Sequence, residues 1–178
     1  MNLENLQKLA SITLSSVSVV AIIAGGLFGL FEYLDHKASE KVNHSLNQLS
    51  NYNSDSLVKS RESIDDAWSG RHAKLIELFE KDKSDSAYSK FVLGVVNDSY
   101  LSRDIEKLLR FYQETAICVG ANICDEEITR SFFQADAIPF FNTFYPYVCF
   151  QRKQWKDEKT WEKLQLFYSP NSIGKICG

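Results

Sequence analysis

Between Lys8 and Glu32 the chain carries twenty-three consecutive residues without a charge. At about 1.5 Å of rise per residue, a helix of that length covers about 35 Å, enough to cross a hydrocarbon core of about 30 Å with some tilt. The pattern predicts a transmembrane helix over residues 9–31, preceded by a short polar cap at residues 1–8. Beyond it the pattern becomes periodic. Leu34, Ala38, Val42, Leu46 and Leu49 recur at intervals of three and four, which predicts an amphipathic continuation over residues 32–54. Ser50-Asn51-Tyr52-Asn53-Ser54 then reads as the point where that helix frays into a linker.

Residues 55–168 read as a soluble helical domain and residues 169–178 as a tail. Leu57, Arg61, Ile64, Trp68, His72, Leu75 and Phe79 share one face at coiled-coil-like spacing, with Ser69-Gly70 as a candidate break. Ser84-Asp85-Ser86 caps a short apolar helix closed by Asn97-Asp98-Ser99. A longer helix over 102–119 follows, with Ile105, Leu108, Leu109, Tyr112, Ala116 and Val119 on one face. Gly120-Ala121-Asn122 makes a turn. Asp125, Glu126 and Glu127 open the next helix, where their carboxylates complement its macrodipole. Residues 131–150 are aromatic-rich, Pro139 and Pro146 mark helix starts or kinks, and a last short helix is expected over 157–168. The expected fold class is all-α, one N-terminal transmembrane helix followed by a small helical soluble domain.

The composition of the span adds a second expectation. At 100° per residue, Ser11, Ser15, Ser18, Ala21, Gly25 and Gly29 fall within a sector of about 120°. Small side chains let helices in a bilayer approach closely, and Gly25 and Gly29 form a GxxxG pair, so this stripe predicts self-association into a homo-oligomer, a tetramer included. A cleaved signal is a competing reading, with Ala24-Gly25-Gly26 as the cleavage site, but the apolar run continues to Phe31. A buried core helix would need more surrounding protein than the rest of the chain supplies.

Orientation is a near tie, with the α-amine and Lys8 before the span and Lys37 and Lys41 after it. Cys118, Cys124, Cys149 and Cys177 allow three disulfide pairings in an exported domain, or remain free thiols in a reduced cytosol. The free-thiol reading places the protein in a bacterial inner membrane, single-pass, with its soluble domain in the cytoplasm.

Chemical motifs are few. The chain has no GxGxxG or GxxxxGK[ST] loop, no HExxH pair among His36, His44 and His72, and no CxxC. Cys118 or Cys124 as a nucleophile would depend on His72, the one histidine in the domain. No catalytic residue, metal or cofactor is therefore expected, and the protein is not expected to be an enzyme. The net charge of −3 argues against long nucleic acid, whose binding rests on many phosphate contacts. An arginine and a histidine on an otherwise apolar stripe need partners, because an unpaired buried charge costs several kcal/mol. Arg103, Lys107, Arg110 and Glu114 form the polar face of the longer helix.

The run LRFYQETAICVGANICDEEITRSFF from Leu109, followed by FFNTFYPYV, resembles a family of uncharacterised bacterial and phage helical domains that often follow an N-terminal membrane helix. Phe111, Glu114, Asp125, Glu126, Glu127 and Pro146 occupy that pattern's aromatic, acidic and proline positions, over about residues 57–168. This likeness implies a fold and no activity. In length and layout the chain is also similar to the small membrane effectors of type III CRISPR systems. That similarity implies a tetrameric soluble domain that binds cyclic tetra-adenylate and acts on the membrane.

The expected function is a membrane-anchored oligomeric sensor or effector that binds a small anionic ligand, a cyclic oligonucleotide in antiphage defence being one candidate. Arg61, His72, Arg103 and Arg110 are the expected ligand contacts, because guanidinium forks suit phosphate oxygens. The alternative is a passive anchor or interaction module with no small ligand. The lipid bilayer and further copies of the chain are the other expected partners.

Overall fold

The computed structural model describes residues 3–82, 84–168 and 177, with the side chains of residues 3–25 outside that description. Those residues form seven α-helices and no strand: α1 Leu3–Tyr52, α2 Asp55–Ser69, α3 His72–Lys81, α4 Asp85–Asp98, α5 Ser102–Gly120, α6 Glu126–Trp155 and α7 Glu162–Tyr168. The chain divides into two compact units, Met1–Glu40 and Lys41–Gly178.

The first unit lies within α1. Leu27, Phe28, Leu30 and Phe31 are each more than half exposed on it, and a Cβ added at Gly29 would meet nothing within 4 Å. No helix of the described residues is long and apolar enough to cross a membrane. The side chains of residues 9–25, most of the expected span, lie outside those residues, as do Ser11, Ser15, Ser18, Ala21 and Gly25 of the small-residue stripe. The expected tail also falls outside them, except for Cys177.

The second unit is built around α5. Its buried face, Ile105, Leu108, Leu109, Phe111, Tyr112 and Ala116, packs against α2, α6 and α7, while α4 packs on α6 through Val92, Val95 and Val96. The end of α1 belongs to this core. Ser45 is fully buried, and its Oγ accepts from the Asp125 N–H at 3.0 Å beside Thr129 Oγ1 at 3.2 Å. Tyr52, where a linker was expected, stacks into a cluster with Phe111 and Phe133 at centroid distances of 5.2 and 5.4 Å. Burial of that ring holds residues 50–52 in helix despite their polar neighbours.

Local signals account for some of the helix ends. Ser84 Oγ accepts from Ala87 N–H at 3.2 Å, and Asp125 Oδ1 accepts from Ile128 N–H at 2.9 Å, so α4 and α6 begin at side-chain caps. Gly70 ends α2, and the seven-membered stripe is split between α2 and α3. Pro139 and Pro146 lie inside α6 and do not start helices. Each removes one bond to the carbonyl four residues earlier, at Ala135 and Asn142, and both of those residues are exposed.

All four cysteines pair, Cys118 with Cys124 and Cys149 with Cys177, which corrects the free-thiol expectation. The cause of the first pairing is the turn after α5. Asn122 adopts φ 61°, and the N–H groups of Ile123 and Cys124 both return to the Cys118 carbonyl at 3.0 and 3.1 Å. That reversal brings the two Cα atoms within 5.2 Å.

Candidate functional site

In the second unit, α2, α5 and α6 flank a cavity of about 380 Å³ that is open to solvent on one side. Residues 61, 64, 65 and 68 of α2 reach it because spacings of three and four put them on one side of the helix. Residues 136, 139, 140, 143 and 144 do the same on α6, and α5 supplies Leu108 and Tyr112. Tyr52, the last residue of α1, completes the lining.

The polar groups form a directed chain. The Tyr52 hydroxyl donates to Asp136 Oδ2 at 2.8 Å, and having no second proton it accepts from the Tyr112 hydroxyl at 3.1 Å. Burial raises the Tyr52 phenol above its ordinary range, and the bonded Asp136 carboxylate adds to the rise. Burial likewise raises Tyr112. Both phenols stay protonated at neutral pH, so they act as donors here and not as bases. Arg61 donates through Nη1 to the Tyr52 carbonyl at 2.9 Å and lies 3.8 Å above the centre of the Tyr52 ring. This answers the question its position raised: the half-buried guanidinium is held by a carbonyl and an aromatic face.

The four expected ligand contacts are not brought together. Arg61 lines the cavity. His72 is the exposed first residue of α3, and Arg103 and Arg110 are exposed on α5, none of them in the cavity lining. The three carboxylates at the start of α6 behave as a helix terminus, with Asp125 capping and Glu126 accepting from Arg130 Nε at 2.8 Å. Among the described residues no group of three or more His, Cys, Asp or Glu side chains is placed to hold a metal.

Tyr52, Asp65, Tyr112 and Asp136 were missed as site residues. One signal was present: Arg61, Asp65 and Trp68 follow one another at i, i+4 and i+7, a charged and aromatic stripe on a helix otherwise buried through Ile64. A second polar cluster is structural. Gln151, in α6, donates to Glu106 Oε1 at 2.7 Å and accepts from Trp161 Nε1 at 2.7 Å, while Tyr147 donates to the same Glu106 oxygen at 2.8 Å. It ties α5, α6 and Trp161, just before α7, together outside the lining of the cavity.

Comparison with curated proteins and with solved structures finds no match to this chain. Residues 19–169 match DUF4760, a domain of unknown function, and with most of its length inside that match the chain belongs to the DUF4760 family.

Proposed function

We propose that the chain is a membrane-anchored sensor domain, held in a bilayer by residues 9–31 and admitting a small molecule to the cavity between α2, α5 and α6. The observation that carries this reading is the position of Tyr52. It ends α1, lines the cavity, and is bonded to α6 through Asp136 and to α5 through Tyr112. A ligand changes a protein only through different affinities for two arrangements, and a residue common to helix and cavity gives it a point of action. The uncharged run and the exposed Leu27, Phe28, Leu30 and Phe31 support the anchor, since water does not favour such a surface. Copies meeting along the Ser11-to-Gly29 stripe belong to the same reading.

Two expectations change. Arg61 is the one cationic side chain lining the cavity, it is engaged by Tyr52, and Asp65 and Asp136 face the same space, so an anionic ligand such as a cyclic oligonucleotide is disfavoured. The disulfides favour a domain on the oxidising side of the membrane over one in the cytoplasm, where thiols are kept reduced. The rival reading, an interaction module without a small ligand, draws on α3, which buries no residue and leaves Ile76 and Phe79 exposed.

The test is expression of the full chain followed by a carbonate wash of the membranes and alkylation of its thiols before and after reduction. The expected result is a chain retained in the membrane pellet whose four cysteines react only after reduction. Recovery of the unprocessed chain in the soluble fraction overturns the anchor, and alkylation without reduction overturns the placement.

A further inference from the structure

The geometry points to an organic ammonium ion as the ligand of this cavity, an inference that rests on the sensor reading above. The walls are aromatic: Tyr52, Trp68, Tyr112, Phe140 and Phe144 all line it. Trp68 meets Phe144 edge-on at 5.4 Å, and Phe140 lies 5.0 Å from Phe144, so the rings form a continuous surface. Aromatic faces carry negative potential and attract a cation placed above them, most strongly where water is excluded. The cavity already does this once, with the Arg61 guanidinium over Tyr52.

Charge decides the class of ligand. Asp65 and Asp136 outnumber the single guanidinium, which leaves the lining net negative. Asp65 is exposed and has no hydrogen-bond or ion-pair partner among the described residues, while Asp136 commits one oxygen to Tyr52. A phosphate would enter against both carboxylates. A bare divalent ion asks for six or more oxygen ligands, and Asp65 and Asp136 are the two carboxylates in the lining, with no group of three or more His, Cys, Asp or Glu placed to hold a metal among the described residues. A neutral apolar ligand would leave the carboxylates unused. An ammonium ion with a hydrocarbon body uses rings and carboxylates together, and the volume of about 380 Å³ falls within the small-ligand range of about 300–1,000 Å³.

Free amines and lipid headgroups both present this chemistry. The test uses the full chain in dodecyl maltoside, with tryptophan fluorescence read during titration with choline chloride and, separately, its neutral isostere 3,3-dimethylbutan-1-ol. A saturable response to choline, about tenfold tighter than to the neutral alcohol, is expected. Asp65→Asn, at an exposed position, is expected to keep the melting temperature and weaken choline binding about two- to fivefold. Phosphatidylcholine vesicles added as competitor separate the sources: displacement identifies a headgroup, no displacement a free cation, and both support the ammonium class. Equal binding of the neutral alcohol, no saturable response to choline, or an unchanged affinity in Asp65→Asn overturns it. Failure with the chain still retained in membranes removes only the ligand class. Choline binding by a chain found in the soluble fraction removes only the anchor.

Discussion

The Tyr52 hydroxyl donates to Asp136 Oδ2 at 2.8 Å and accepts a hydrogen bond from the Tyr112 hydroxyl at 3.1 Å, so one phenol joins α1, α5 and α6. Tyr52→Phe keeps the ring packing and removes both bonds, leaving the buried Tyr112 hydroxyl without its acceptor. The expected loss is about 1–2 kcal/mol, read from thermal or denaturant unfolding of the full chain in detergent. Tyr52→Ala also removes the ring packed against both Phe111 and Phe133 and is expected to cost about 3–5 kcal/mol.

Gln151 is the hinge of a different network. Gln151→Leu preserves approximate volume but strips the Trp161 indole N–H of its acceptor and the Glu106 carboxylate of one donor. Trp161 holds a left-handed backbone at φ 63°, a conformation a non-glycine residue keeps only when its surroundings fix it. The expected cost is about 2–4 kcal/mol, with protection of the α7 amides in hydrogen exchange falling before that of α5.

The two disulfides differ in the loop they close, with sequence separations of 6 and 28. Chain entropy assigns about 2 kcal/mol to the first and about 3.5 kcal/mol to the second. Replacing Cys149 and Cys177 with serine is therefore expected to lower the melting temperature more than the same change at Cys118 and Cys124. Equal shifts would contradict the assignment.

Alkaline stability follows from the buried phenols. Burial raises the Tyr147 hydroxyl to about 12, helped by its bond to Glu106, while in the unfolded chain it titrates near 10. The unfolded state then holds fewer protons than the folded one above pH 10. The stabilisation is complete below about pH 10 and is lost as pH rises towards 12, at up to about 1.4 kcal/mol per pH unit for each such tyrosine. Tyr147→Phe is expected to flatten that decline, read by thermal melts between pH 9 and pH 11.5 alongside tyrosinate absorbance.

Helices were legible where local chemistry sets them. The helix expected over 102–119 is α5, Ser102–Gly120, and the turn, break and acidic first turn at Gly120, Gly70 and Asp125 all appear. What escaped the sequence depends on which side of a helix meets solvent. Pro139 and Pro146 read as helix starts or kinks until it is known that the carbonyls they leave unbonded, at Ala135 and Asn142, belong to exposed residues of α6. Residues 50–54 read as linker by composition, although Tyr52 finds a buried aromatic site that no local pattern announces. Among the site residues, Arg61 was legible as a charge needing a partner. Asp136 was not, because one carboxylate among the aromatics of α6 gains meaning only when α1 delivers to it the Tyr52 phenol, itself bonded to Tyr112 of α5.

The bond between Cys149 and Cys177 also governs how this protein would fragment. Trypsin cutting after Lys175 separates Cys177 from the chain before it but not from the molecule. Under non-reducing conditions a digest would carry the peptide containing Cys177 as a branch on the peptide containing Cys149, and a thiol reductant would release it.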